Sequence, residues 1–75
     1  MPSLDDLRAF AAVARLGSVR AAAVELALTH GAISRRVSKL ATDLKLRLLE
    51  PEGRGVRPTR DGLNVWQKLA TDAMH

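Results

Sequence analysis

Apolar residues recur at the helical period in four separate stretches of the chain, and each stretch begins at a capping residue. Leu4, Leu7, Phe10, Ala11 and Ala14 form the first stripe. Ser3 precedes it with Asp6 at the spacing of a capping box, Asp5 adds a negative charge to the first turn, and Gly17 is a natural stop. Ser18 opens a second helix with Val19, Ala22, Ala23 and Leu26 on its buried side. Only Ala27 and Leu28 separate it from the next cap, Thr29. The third helix carries Ile33, Val37, Leu40 and Leu44, which at about 100° per residue fall within an arc of about 60°. Its far side presents Gly31, Arg35, Ser38, Lys39 and Thr42, none of them bulky and apolar.

The helical period ends near Lys45. Leu46, Leu48 and Leu49 then make a short apolar run that Pro51 and Gly53-Arg54-Gly55 interrupt, and Val56-Arg57-Pro58 is a second extended piece. This pattern predicts a small two-stranded hairpin. Thr59 caps a fourth helix with Asp61 in its first turn, although Gly62 argues against a strong start. Leu63, Trp66, Leu69, Ala70 and Ala73 share one face of it. The class is mainly α, in the order helix, helix, helix, hairpin, helix, with no internal repeat or low-complexity tract.

At 75 residues the chain supports one domain, near the size at which a single core is marginal. Cysteine is absent, which removes disulfides and thiolate metal sites, and the two histidines, His30 and His75, are too few for a zinc cage. A partner subunit is the remaining means of support. With 47% hydrophobic and 27% charged residues the composition is that of a globular protein rather than a disordered one. No run approaches the roughly 18 apolar residues of a membrane span and no secretory segment follows Met1, so the expected location is the cytoplasm. A nucleophile–base pair, a phosphate-cradling glycine loop and paired carboxylates in an apolar setting are all missing, so neither catalysis nor a cofactor is expected.

The formal net charge of +4 is unevenly spread. Residues 1–28 balance, residues 61–75 carry −1, and residues 29–60 hold eight cations against three carboxylates, a net +5. A localised excess of this kind fits a polyanion, with a solvated surface as the plain alternative. Two helices joined by a minimal turn, the second with one apolar face and one cationic, small-residue face, describe a helix-turn-helix. Ala22 and Ala23 allow a close crossing, and Ile33 and Val37 pin the third helix to the core. Thr29, His30, Gly31, Ser34 and Arg35 then project outward, where a recognition helix meets base edges. Gly31 and Ser34 permit close approach, and Arg35 reaches a guanine edge or a phosphate. The plain readings are a solvent-exposed His30, a solvated Arg35, and Arg54 as simple turn chemistry between two glycines. Arg36 lies nearer the core edge and suits a salt bridge or solvent.

The ordered set Leu7-Arg8-Ala9-Phe10, Gly17-Ser18, Arg20-Ala21-Ala22, Leu26, Thr29-His30-Gly31-Ala32-Ile33-Ser34-Arg35, Leu40, Leu44, Leu48, Gly53-Arg54-Gly55-Val56 and Thr59 with Gly62 resembles the N-terminal DNA-binding domain of LysR-type bacterial transcriptional regulators. The Thr-His-x-Ala-Ile-Ser stretch is similar to the branch containing glycine-cleavage and β-lactamase regulators. The resemblance implies a winged helix-turn-helix over residues 1–58 and a linker helix over 59–75 that pairs two protomers. The stripe of Leu63, Trp66, Leu69, Ala70 and Ala73 is then the pairing face, with covering of the domain's own first helix as the plain alternative. It implies duplex DNA with an interrupted palindrome as the partner, bound by a homodimer or by a tetramer of a longer protein. His30, Gly31, Ser34 and Arg35 would read bases from a recognition helix spanning 29–44. Ser18, Arg20, Thr29, Ser38, Lys39 and Arg57 would take the phosphate side, and Arg54 the minor groove.

Three positions depart from the family pattern. Lys45 replaces the glycine that ends the third helix, Leu49 replaces a wing phenylalanine, and Pro51 replaces a frequent arginine. The chain stops where the family's longer effector-binding domain would begin, so it reads as one domain of a larger regulator whose small-molecule effector acts elsewhere. Two other readings remain open from sequence: a winged-helix module that binds another protein through the apolar fourth helix, and a stand-alone phage-type or nucleoid-type DNA binder.

Overall fold

The computed structural model describes residues 3–73, with side chains through residue 69. They form α1 (Leu4–Leu16), α2 (Val19–Leu26), α3 (His30–Leu44), β1 (Leu49–Glu52), β2 (Gly55–Pro58) and α4 (Arg60–Ala73). Each helix starts at the residue whose hydroxyl replaces a missing backbone acceptor. Ser3 Oγ accepts from the Asp6 amide at 3.3 Å, Ser18 Oγ from Ala21 at 3.1 Å, Thr29 Oγ1 from Ala32 at 3.0 Å and Thr59 Oγ1 from Gly62 at 3.0 Å. The Thr59 hydroxyl in turn donates to the Arg47 carbonyl, which joins the start of α4 to the segment between α3 and the wing.

The helix ends are equally defined. Gly17 closes α1 at φ 70°, whereas α2 and α3 close on Ala27 and Lys45, both at φ 56°. Leu28 N–H then bonds the Ala23 carbonyl at 2.9 Å and Leu46 N–H the Ala41 carbonyl at 3.1 Å, so both exits have the same left-handed turn. Two side-chain-bearing residues thus adopt a backbone that glycine takes at least cost. Lys45, which stands where the family pattern has glycine, thus keeps the left-handed exit.

Phe10, Val13, Ile33, Leu40 and Leu48 are the largest fully buried side chains, and α1 is the helix around which α2, α3, β2 and α4 pack. The first stripe is rotated from its sequence-based phase. Leu4 is 62% exposed, while Ala9, Ala12 and Val13 are buried along with Asp6. The cause is tertiary: α1 turns its Asp6 side toward the cationic flank of α3, which leaves Leu4 outside.

β1 and β2 pair antiparallel, with Leu49 opposite Pro58 and Glu52 opposite Gly55. Pro51 lies inside β1 rather than ending it, because both strands of a two-stranded ribbon are edges where proline is tolerated. The turn is Gly53-Arg54, with Gly53 at φ 58°. Val56 N–H bonds the Gly17 carbonyl at 3.1 Å, and a Cβ on Gly55 would collide with that same oxygen, so glycine allows the wing to dock on the end of α1. Gly62 has a comparable reason. A Cβ there would overlap the Leu48 carbonyl, so the residue that weakens the helix in sequence terms is the one that lets α4 sit down.

Candidate nucleic-acid interface

α3 is buried along Ile33, Val37 and Leu40 and exposed along Gly31, Arg35, Ser38, Lys39 and Thr42. At about 100° per residue, Gly31, Ser38 and Thr42 mark the centre of the outer face. Ser34 and His30 fall on one side of that centre, and Arg35 and Lys39 on the other. The Arg35 side chain folds along the face, so that a Cβ on Gly31 would lie 3.5 Å from its Nη1, an ordinary contact. No neighbour within the chain requires Gly31 to be glycine. Its missing side chain leaves open surface at the first turn of an exposed helix.

A cleft of about 390 Å³ lies on the His30 side, lined by Ser18 and Arg20 at the start of α2, His30 of α3, and Arg54 and Val56 of the wing. Arg20, His30 and Arg54 are exposed, so three elements bring three basic side chains to one polar crevice. The Ser18 and Thr29 hydroxyls, expected to meet phosphates, accept helix-capping amides, which leaves each O–H to donate. Arg57 is exposed but committed: its Nε lies 2.7 Å from Glu50 Oε1 and its Nη1 3.9 Å from Glu52 Oε1. The Glu50 hydrogen bond, then the charges of Glu50 and Glu52, raise the Arg57 pKa further above its ordinary value. Its positive charge is therefore already opposed by two carboxylates.

Arg36 pairs with Asp5 at 3.7 Å and Asp6 at 3.9 Å, the structural salt bridge that its helical angle suggested. Asp6 itself is a residue that the sequence pattern did not single out beyond its capping position. It is buried, and only the fold reveals that it faces Arg36 and Lys39. A second concavity, about 280 Å³, lies between α3 and the start of the wing and is lined by Val19, Val37, Ala41, Leu48 and Leu49. Among the proposed pairing residues, Leu63 is 41% exposed, whereas Trp66 and Leu69 are half-buried against the chain's own core together with Val65. Ala70 and Ala73 lie outside the described side chains. Among the described residues no three His, Cys, Asp or Glu side chains gather as metal ligands, and no helix is long and apolar enough to cross a membrane.

A three-helix core with a two-stranded wing and a cationic, small-residue face on the third helix defines a winged helix-turn-helix DNA-binding domain. The family model described as "Bacterial regulatory helix-turn-helix protein, lysR family" matches residues 4–63, and the chain belongs to that family. The HTH-type transcriptional regulator TrpI of Pseudomonas aeruginosa is 51% identical over 65 residues, covering 87% of this chain and 22% of that protein. The HTH-type transcriptional activator AmpR of Yersinia enterocolitica is 45% identical over 62 residues, covering 83% of this chain and 21% of its own length. The chain thus spans about a fifth of these curated relatives. Among solved structures, the CbnR DNA-binding domain in complex with DNA superposes with a TM-score of 0.88 at 30% identity, over 96% of this chain and 83% of that one. The BenM DNA-binding domain bound to catB site 1 DNA gives 0.84 at 32% identity, over 95% and 82%.

Proposed function

We propose that this chain binds duplex DNA sequence-specifically, with α3 in the major groove and the wing at the minor groove. The observation that carries the reading is the exposed strip of α3, where the outer face is cationic and small-sided while the opposite face anchors the core. His30, Gly31, Ser34 and Arg35 read base edges from the first turns, and Arg54 enters the minor groove from the turn. Ser18, Arg20, Thr29, Ser38, Lys39 and Arg57 hold the backbone. The shared crevice of Arg20, His30 and Arg54 supports a phosphate between α2 and the wing, with His30 serving both strand and base edge.

Residues 1–58 form the reading unit and residues 59–75 the helix that pairs two copies, through Leu63, Trp66, Leu69, Ala70 and Ala73. Two copies related by a twofold axis would meet two half-sites of an interrupted palindrome. The exposure of Leu63 supports that reading, since Trp66 and Leu69 are already half-buried within one chain. In a longer protein a further domain would carry the effector response. A titration of a promoter fragment and a scrambled duplex over a range of salt tests the proposal. With roughly five cationic contacts per protomer, log K should fall steeply with log salt. A slope near zero, or equal affinity for both duplexes, would refute it, and tight capture of another protein without DNA preference would favour the interaction-module reading.

A further inference from the structure

Among the described residues Asp6 is the one buried side chain that is polar or charged, at 4% exposure. It sits in the first turn of α1, against the flank of α3. Its Oδ2 is shut off from solvent and has no hydrogen-bond partner. Two cations of α3 stand near it, Lys39 with Nζ 3.7 Å from Oδ2 and Arg36 with Nη1 3.9 Å from Oδ1. Arg36 has a second carboxylate, Asp5, at 3.7 Å, so Lys39 is the cation that answers the unbonded oxygen. A buried carboxylate is costly unless a counter-charge stays close. Yet the Lys39 side chain is 63% exposed and lies one helical turn beyond Arg35, on the edge of the strip proposed to face DNA.

We propose that Asp6 is a positioning residue that acts through Lys39. It draws the ammonium toward α1, away from the DNA backbone, and lowers affinity for duplexes of any sequence. The inference rests on the DNA-binding reading above. A phosphate that recruits Lys39 must strand the Asp6 oxygen, and this penalty is the same at every site. Affinity for every duplex therefore falls alike, and the difference between sites stays with the side chains that read bases.

A double-mutant cycle on a scrambled duplex tests this, with Asp6→Asn, Lys39→Gln and the pair, and Asp5→Asn as the control for loss of one nearby negative charge. A phosphate contact with a slope of about 0.9 is worth roughly eightfold in affinity between about 1 M and 0.1 M salt. In the Asp6→Asn background, Lys39→Gln should lose roughly that eightfold, and in the natural background clearly less than half of it. Asp6→Asn should tighten scrambled-duplex binding more than Asp5→Asn does, and the excess should vanish once Lys39 is glutamine. A merely structural role would weaken all duplexes in proportion to the loss of folded protein, which circular dichroism measures, and would show no such coupling. Equal Lys39→Gln effects in both backgrounds would overturn the inference. If Asp6→Asn does not fold, the natural background decides, because a full eightfold loss from Lys39→Gln overturns the inference and a small loss sustains it. Failure of the natural chain to bind either duplex would refute the DNA reading itself, a separable outcome.

Discussion

Gly62 sets its bare α-carbon against the carbonyl of Leu48, the same oxygen that accepts the Thr59 N–H at 2.9 Å. Helix propensity alone says that alanine at position 62 stabilises by about 1 kcal/mol. The overlap with a backbone carbonyl says the reverse, because neither the segment leading to the wing nor the start of α4 can move freely. Gly62→Ala is expected to destabilise by about 1–3 kcal/mol, and a thermal melt reads the sign.

Gly31 is the opposite case. Nothing in the chain fills the space of its missing side chain, so Gly31→Ala should stabilise by about 0.5–1 kcal/mol. If DNA approaches this turn, the same substitution should weaken binding to a promoter fragment. A variant that melts higher and binds less tightly separates the needs of the fold from those of the partner.

Lys45 holds φ 56° as the last residue of its turn. Lys45→Gly should relieve roughly 1 kcal/mol of left-handed strain, less the entropy that glycine adds to the unfolded chain. For a domain of this size each kcal/mol moves the midpoint by about 4–8 °C, so differential scanning calorimetry resolves the gain. Ala27→Gly, at the same φ, should behave similarly without a change of charge.

The apolar concavity bordered by Leu49 has room for a larger side chain. Leu49→Phe should bury more apolar surface against Val19, Val37 and Ala41 and raise stability by about 0.5–2 kcal/mol. A drop in chemical-denaturation midpoint would mean that the concavity does not admit the ring.

Arg35→Ala separates two kinds of contact. If Arg35 reads guanine, the loss should be about 1–3 kcal/mol and confined to duplexes with that base pair. A uniform loss across a panel of single-base operator variants would make Arg35 a phosphate contact instead.

Much of this architecture was legible in the sequence because its signals are local. Ser3, Ser18, Thr29 and Thr59 each cap an amide three residues on, a relationship that any reading of the chain can see. The stripe of Ile33, Val37 and Leu40 is likewise a property of one helix. What escaped depends on partners distant in sequence. Leu4 is exposed and Asp6 buried because Arg36 and Lys39 lie across from α1, some thirty residues further along the chain. Gly62 counts as a helix breaker until Leu48 is placed beside it. Of the interface, the outer strip of α3 followed from periodicity. The meeting of Arg20, His30 and Arg54, and the occupation of Arg57 by two glutamates, are products of the tertiary fold and the hairpin register.

α1 touches both elements proposed to grip a duplex. Near its start Asp6 faces the flank of α3, and at its end the Gly17 carbonyl receives the wing through Val56. Its 13 residues rise about 20 Å at 1.5 Å each. The helix is therefore a caliper, its length setting how far apart the outer face of α3, proposed to read the major groove, and the wing, proposed to probe the minor groove, can stand. Adding or removing one residue within it would also turn its two ends by about 100° relative to each other. On the proposed reading, the reach of the domain along DNA is thus set by a helix that belongs to neither grip.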